Sequence, residues 1–191
     1  MKKTDINPTR FEEIPPFPED AKDKYVIHGI IETPRDIRHK YALHAKYGIF
    51  ALRQTIPEGL KWPYDYGFIP QTIGEDGDPL DVLFMDDDPT FPGCLVQARL
   101  LGIIRLLKNG EENDRLVSCA PRFDGVSQRT DSFDDIDDVP KEIVDSMSRF
   151  LTQYSSEEDN EIEFKGVESR KKALQALGAG HKAWKKQRKK H

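Results

Sequence analysis

Three aspartates crowd a short segment in the middle of the chain that also contains glycine and proline. Asp76, Asp78 and Asp81 surround Gly77 and Pro79 and lie directly before a strongly apolar run. Carboxylates this close together repel one another unless water, a cation or a cationic side chain compensates their charge. Hard oxygen ligands of this kind suit Mg²⁺. Because tight turns also select Asp, Gly and Pro, the segment alone fits a turn and a metal site equally well.

Several other kinds of site are excluded by spacing. The segment does not suit a calcium loop of the EF-hand type, because counting from Asp76 the position that needs glycine holds Asp81. The chain contains neither a GxxxxGK(S/T) nor a GxGxxG stretch. Cys94 and Cys119 lack the spacing of a zinc site, and we expect both to be buried free thiols. Any phosphate chemistry would therefore depend on side chains.

Side chains suited to a small polyanion lie on both sides of the acidic segment. Strand-borne cations and a phenol beside an acid cluster can bind such a ligand through charge-assisted hydrogen bonds. The blander interpretation is that each Lys or Arg at a strand end is a solvated surface charge. The candidates are Glu32, Lys40, Arg53, Trp62, Tyr66 and Arg115.

The elements that must position these side chains are mostly short strands. β-type runs alternate with Gly, Pro, Asn and Asp clusters, and no helical period appears among them. Many short strands with turns between them predict a small closed or partly closed barrel. The predicted strands cover residues 25–31, 41–44, 49–53, 81–85, 94–107 and 115–120.

After Phe123 the pattern becomes helical. A first helix is predicted behind an Asp138 cap and a Pro140 start, and a second from Ser169 to Gly178. The first helix has one apolar stripe, formed by Val139, Ile143, Val144, Met147, Phe150, Leu151 and Tyr154. The second is expected to turn Ala173, Leu174 and Leu177 inward.

Length and charge complete the organisation. The 191 residues carry a formal net charge of -5, with 37% apolar residues, which predicts one domain over residues 25–180. Residues 1–24, rich in proline, are predicted to be an extended arm, and residues 181–191 a basic tail with six Lys or Arg. Because an acidic protein lacks the broad basic footprint of a nucleic-acid binder, we interpret the tail as a solvated, frayed end. No secretory signal or membrane span is apparent, which predicts a soluble protein of a reducing compartment.

One longer stretch resembles a known family. DGDPLDV at 76–82, preceded by YDYGFIP at 64–70, resembles the signature of the soluble family I inorganic pyrophosphatases, and PxxPGxLVxxRxxG follows from Pro89 to Gly102. The resemblance extends from about Tyr25 to Gly178. It implies a five-stranded OB-like closed barrel with two C-terminal helices, and Mg²⁺-dependent hydrolysis of pyrophosphate to two orthophosphates. It also implies a homo-oligomer, either a dimer or a hexamer, of a protein that we expect to be cytoplasmic.

The resemblance further implies a role for each matching residue. Asp76 and Asp81 are similar to the principal metal ligands, Glu32 to an outer metal ligand, and Asp78 to the acid that both faces the metals and helps to deprotonate the attacking water. The expected phosphate-binding and catalytic groups are Lys40, Arg53, Tyr66, Tyr154 and Arg115, the last at a position where the family usually has Lys.

Besides Arg115, six positions depart from the family pattern. Acids are expected where the chain has Ala42, Lys108, Asn109 and Asn113, a Lys is expected at Ser155, and a Tyr is usual at Trp62. Glu111, Glu112 and Asp114 are neighbouring acids that could replace the missing ones. Losing anionic ligands weakens the binding of hard cations, so a third metal is the one least expected here. Two hypotheses follow: a Mg²⁺-dependent pyrophosphatase, and a weakened module that binds a phosphorylated ligand or nucleic acid without turnover.

Overall fold

The computed structural model describes residues 11–121, 129–156 and 160–189, and within them the chain forms nine strands and two α-helices. The helices are α1 Lys141–Ser156 and α2 Arg170–Arg188. The strands are β1 Val26–Thr33, β2 His39–His44, β3 Ile49–Thr55, β4 Asp65–Phe68, β5 Asp81–Met85, β6 Leu95–Lys108, β7 Glu111–Glu112, β8 Arg115–Cys119 and β9 Ile162–Ser169. The prediction of a mainly β fold with two C-terminal helices is confirmed.

Five of the strands pair in a ring. β1 pairs with β4 and β6, β4 with β5, β5 with β8, and β8 with β6. β9 and β7 add to β6, while β2 and β3 form a separate hairpin. The closed barrel itself stays a prediction. The β5–β8 pairing is parallel and sets Val82 opposite Leu116, so Asp81 and Arg115 begin neighbouring strands side by side.

The sequence analysis missed three strands: β4, β9 and the two-residue β7. β4 is only four residues long and includes Asp and Gly, which strands disfavour. Gly67 is needed there because a Cβ atom would lie 1.9 Å from the Ile30 carbonyl oxygen of β1. β9 has no clear alternation of apolar and polar residues, and its antiparallel pairing with β6 from Gly102 to Lys108 fixes it as a strand.

The second helix is longer than predicted. Gly178 was expected to end it, but α2 continues to Arg188, so the interpretation of the basic segment as a frayed end is wrong for residues 181–188. A glycine inside a helix lowers its stability by only about 1 kcal/mol relative to alanine, so Gly178 does not end the helix. Gly180 has a packing role, because a Cβ atom there would lie 2.8 Å from Leu80. Ala173 and Leu177 are buried, as predicted.

Part of the predicted arm packs against the strands. Phe11 is buried, and its ring makes edge contacts with Phe50 and Phe68 at 5.6 and 5.9 Å. The proline-rich composition gave no sign of this contact. Across the described ranges, neither helix is apolar enough over a sufficient length to span a membrane.

Candidate active site

The acidic segment forms a closed loop between β4 and β5. The Gly74 amide donates to the Asp78 carbonyl at 2.7 Å, and the Asp78 amide donates to Asp76 Oδ1 at 3.0 Å. Gly77 has a φ of 88°, a conformation that glycine adopts without strain. The turn interpretation is therefore confirmed for the backbone. The same turn leaves Asp76 and Asp78 exposed beside Asp81, so it does not oppose a ligand role.

Asp81 is held by two partners. Its Oδ2 atom lies 3.0 Å from Arg115 Nη1, and its carboxylate forms a side-chain hydrogen bond with Tyr66. Burial raises the pKa of the Tyr66 hydroxyl well above its usual range, and the charge of Asp81 adds to this although Arg115 opposes it. Tyr66 therefore stays protonated and can donate a hydrogen bond.

Asn113 connects the two ends of the acidic loop through Arg115. Its Nδ2 atom donates to Asp76 Oδ2 at 3.2 Å, and its Oδ1 atom accepts from Arg115 Nη2 at 2.7 Å. Asp76 and Asp81 are thus joined through protein donors. The sequence singled out Asn113 only as a missing acid, because nothing in its type announced a bridging amide.

A fourth carboxylate, on β1, lies near Asp78 and Asp81. Glu32 of β1 accepts a hydrogen bond from the Leu43 amide at 2.8 Å. Burial raises its pKa from the usual 4.5 to about 7, and the charges of Asp81 and Asp78 contribute, against the opposing effects of the Leu43 hydrogen bond and Lys40. Glu32 is therefore poised to gain or lose a proton near neutral pH.

The cationic group near Glu32 is Lys40 of β2. Its Nζ atom donates to the Tyr154 hydroxyl of α1 and lies 4.9 Å from the centre of that ring. β2 and α1, which are far apart in the sequence, are therefore in contact at this amino group. Because the contact spans more than a hundred residues of sequence, no local pattern indicated it.

Trp62 forms the wall behind Tyr66 and Tyr154. Its side chain is fully buried, and its ring lies 5.0 Å from Tyr66 and 5.0 Å from Tyr154. Its Nε1 atom has no hydrogen-bond partner in the part of the chain that the structure describes. Trp62 is therefore an aromatic support in this structure and does not reach the site as a polar group.

The structure brings together most of the residues that the sequence singled out. Asp78 lies close enough to interact with them: although the residue is largely exposed, partial desolvation of its carboxyl group raises its pKa, and the charges of Asp76 and Asp81 raise it further. Arg53 is the exception: it is an exposed residue at the bulge of the β2–β3 hairpin and pairs with none of the described residues. The assembled set is Glu32, Lys40, Tyr66, Asp76, Asp78, Asp81, Arg115 and Tyr154.

The positions that depart from the family pattern belong to different elements of the fold. Ala42 pairs with Ala51 in the hairpin, and Lys108 ends β6 opposite Glu111. Asp114, next to Asn113, forms a short ion pair of 2.5 Å with Arg105, so its carboxylate is already engaged, although it lines the same cavity as Asp81. The side chain of Ser155 lies outside the described part of the chain.

A cavity of about 510 Å³ opens beside the acidic loop. Asp76, Asp81 and Arg115 form one wall, and α2 forms the other with Ala176 and Ala179. Among the described residues, no three His, Cys, Asp or Glu side chains are arranged as a ready metal site. The carboxylates match Mg²⁺ in chemistry, and the raised pKa values of Glu32 and Asp78 mark negative charge that a cation would stabilise.

Comparison with known proteins identifies the family. The model of the inorganic pyrophosphatase family matches residues 29–185. An inorganic pyrophosphatase of Halalkalibacterium halodurans is 32% identical, over 82% of this chain and 94% of that protein. One of Haloferax volcanii is 32% identical, over 79% and 84%. The crystal structure of inorganic pyrophosphatase from Thermus thermophilus superimposes with a TM-score of 0.79 at 30% identity, covering 88% of this chain and 97% of that one. The chain therefore belongs to the inorganic pyrophosphatase family.

Proposed function

We propose that this protein hydrolyses inorganic pyrophosphate to two orthophosphates in a Mg²⁺-dependent reaction. The observation that carries the proposal is the juxtaposition of four carboxylates with Lys40 and Arg115 in one site. Pyrophosphate is a polyanion whose oxygens need both metal ions and cationic side chains to offset their charge. Relatives named inorganic pyrophosphatase at 32% identity support the same conclusion.

Asp76 and Asp81 would hold the principal ions, with Glu32 as an outer ligand. When bound, Mg²⁺ supplies neutralisation of phosphate oxygens and a water acidic enough to lose a proton near neutral pH. Asp76 is exposed and Asp81 is partly so, which leaves both carboxylates accessible from the cavity.

The proposed base is Asp78. Its backbone is fixed by the loop, while its carboxylate accepts no hydrogen bond from the described residues and so stays available to a water. Its pKa is raised by burial and by Asp76 and Asp81, which brings a carboxylate closer to the range that suits a general base. Asp78 would take the proton of the attacking water.

The remaining groups would bind and orient the phosphates. Lys40 and Arg115 would hold oxygens by charge-assisted hydrogen bonds, and Tyr66 would donate from a hydroxyl that stays protonated. Tyr154 fixes the Lys40 amino group by accepting its hydrogen bond. Arg53 would join only after its side chain turns toward the site, since it contacts none of these groups here.

The test is orthophosphate release from pyrophosphate with Mg²⁺. We expect turnover in the unchanged protein and a loss of at least about a hundredfold in Asp78→Asn, because general base catalysis contributes factors of that order. Asp88→Asn, an exposed aspartate after β5, is the matched control and should retain full activity. Equal activity in Asp78→Asn and the unchanged protein would remove Asp78 from the mechanism.

A second candidate function is binding of a diphosphate without turnover. The contacts of Asp76 with Asn113 and of Asp81 with Arg115 favour it, because they occupy oxygens that a metal would need. Tight binding of pyrophosphate with no phosphate release under Mg²⁺, Mn²⁺ or Zn²⁺ would support this function. Release under any of these ions would support the hydrolase.

The finer features of fold and context belong to the same proposal. We propose that the five paired strands close into the OB-like barrel, and that the protein is a cytoplasmic homo-oligomer, on the strength of the family resemblance. Light scattering of the purified protein gives the number of subunits. A mass equal to the 21.9 kDa chain would contradict the oligomer.

A further inference from the structure

Two of the acids proposed to bind metal are already held by the protein itself. Arg115 Nη1 lies 3.0 Å from Asp81 Oδ2, and Asn113 Nδ2 lies 3.2 Å from Asp76 Oδ2. The Asp78 carboxylate, between them in sequence, accepts no hydrogen bond from the residues of the described ranges. The protein therefore ties down the two acids that flank the loop and leaves the central one available.

The donors that hold these acids are themselves fixed. Arg115 Nη1 donates to the carbonyl oxygens of Asn113 at 2.8 Å and Asp114 at 2.9 Å, while its Nη2 donates to Asn113 Oδ1 at 2.7 Å. The Arg115 side chain is only 13% exposed, and its guanidinium lies 5.9 Å from the centre of the Tyr66 ring. This positive charge is consequently built into the site and is not a solvated surface group.

A fixed guanidinium at this place affects a divalent cation in two ways. It occupies a carboxylate oxygen, and it repels the ion across a short distance through partly buried surroundings, where charges interact more strongly than in water. The Asn113 amide has a related effect, because its Nδ2 group offers Asp76 a hydrogen bond but adds no negative charge. Both residues therefore oppose the ion at the carboxylates that would bind it.

We propose that Arg115 and Asn113 act as an internal competitor of the divalent cation at Asp76 and Asp81, and thereby set the affinity of the site for metal. This inference rests on the proposed function of the site. In the ion-free protein the two residues hold the acidic loop in place, and an entering ion must take carboxylate oxygens from them. Arg115 then has opposing roles, since it would bind phosphate and weaken metal binding.

The test is titration with Mn²⁺ in the absence of pyrophosphate, with free Mn²⁺ measured by electron paramagnetic resonance. Arg115→Gln removes the fixed charge, and Asn113→Asp replaces the amide donor by a carboxylate. We expect each variant to bind Mn²⁺ at least about tenfold more tightly than the unchanged protein, with circular dichroism confirming the fold. Lys165→Gln on β9 and Gln187→Glu at the end of α2 make the same changes of net charge away from the site and should leave the affinity unchanged.

Failure of both site variants to bind Mn²⁺ more tightly than their charge-matched controls would overturn the proposal. Asn113→Ala, which removes the amide without adding charge, should give a smaller gain of about two- to fivefold. The two proposals fail separately: absence of phosphate release would overturn the hydrolase, whereas the Mn²⁺ titration needs no turnover. Arg115→Gln is also expected to lower phosphate release while it raises Mn²⁺ affinity, a pair of opposite changes that simple unfolding would not produce.

Discussion

The two sides of the site treat negative charge differently. On the loop side, protein donors engage Asp76 and Asp81 within hydrogen-bond distance. On the strand side, Glu32 is partly buried with one backbone donor, while the nearby Lys40 amino group donates to Tyr154. The pKa of Glu32 accordingly rises to about 7. The loop side is stable without an ion, whereas the strand side needs a proton or a cation to offset its charge.

The largest expected effect is on the loop side. Asp81→Asn removes a proposed metal ligand and leaves the partly buried Arg115 without its carboxylate partner. We expect kcat/KM for pyrophosphate to fall about a thousandfold, or about 4 kcal/mol in transition-state stabilisation. Glu32→Gln, which changes only an outer ligand, should lose about tenfold. Steady-state phosphate release at several Mg²⁺ concentrations measures both.

Asp145→Asn serves as the control for this comparison. Asp145 is an exposed acid on α1 that pairs with Lys141 at 2.6 Å, and surface pairs of this kind contribute little to stability. Its activity should match that of the unchanged protein. Equal losses in the Asp81 and Glu32 variants would show that the two sides of the site do not differ in the way proposed.

The next largest effect is the pH dependence of stability that Glu32 introduces. Its pKa is 4.5 when unperturbed and about 7 in the folded protein. Below pH 4.5 Glu32 is therefore protonated in both the folded and the unfolded state, and it does not lower the free energy of unfolding. As the pH rises through this interval, the unfolded state loses the proton first and the folded state becomes less stable. The full cost above pH 7 is about 3 kcal/mol, from about 1.4 kcal/mol per pKa unit.

Urea denaturation in EDTA at pH 5 and pH 8 measures this cost. The unchanged protein should lose up to about 3 kcal/mol more than Glu32→Gln over that range, because the glutamine does not titrate. Groups that do not interact with Glu32 contribute equally to both proteins and cancel in the difference, which leaves the effect of Glu32 and of its coupling to Asp78, Asp81 and Lys40. Parallel pH profiles for the two proteins would contradict the raised pKa of Glu32.

A smaller effect is expected at Tyr154. Tyr154→Phe removes the hydroxyl that accepts the Lys40 hydrogen bond, and thereby loosens the position of the amino group. We expect KM for pyrophosphate to rise up to about tenfold, or about 1.4 kcal/mol, with kcat within about threefold. Tyr47→Phe, at a residue that is 61% exposed, is the matched control. A loss confined to kcat would instead assign Tyr154 a role in the chemical step.

Much of the fold could be predicted from local patterns. The runs at residues 49–53, 81–85 and 115–120 coincide within two residues with β3, β5 and β8, because β-branched and apolar residues between turn formers are strong signals. β4 could not be found in this way, since Gly67 is required by the close approach of the Ile30 carbonyl. The predicted end of α2 at Gly178 was wrong, because the helix continues to Arg188 and tertiary packing outweighs the low helix propensity of one glycine.

The site was predictable in its residue types and not in its contacts. The DGDPLDV run identified the acids, but the pairing of Asp81 with Arg115 depends on the parallel register of β5 and β8, which no local pattern contains. The bridging role of Asn113 likewise depends on that pairing. Arg53 illustrates the converse, because a motif match selected a residue that makes no contact with the site in this structure.

The smallest expected effect on activity is at Trp62, and it tests whether this side chain takes part in either side of the site or only supports both. Trp62 is fully buried between Tyr66 and Tyr154, and its Nε1 atom has no partner among the described residues. Trp62→Phe therefore breaks no hydrogen bond, and we expect a loss of only about 1 kcal/mol in urea denaturation, against about 3–5 kcal/mol for Trp62→Ala. Because the ring supports both sides from behind, kcat/KM for Trp62→Phe should stay within about threefold. A hundredfold loss of kcat/KM without a loss of stability would mean that the indole N–H contacts the substrate. Trp62 would then count among the phosphate-binding groups.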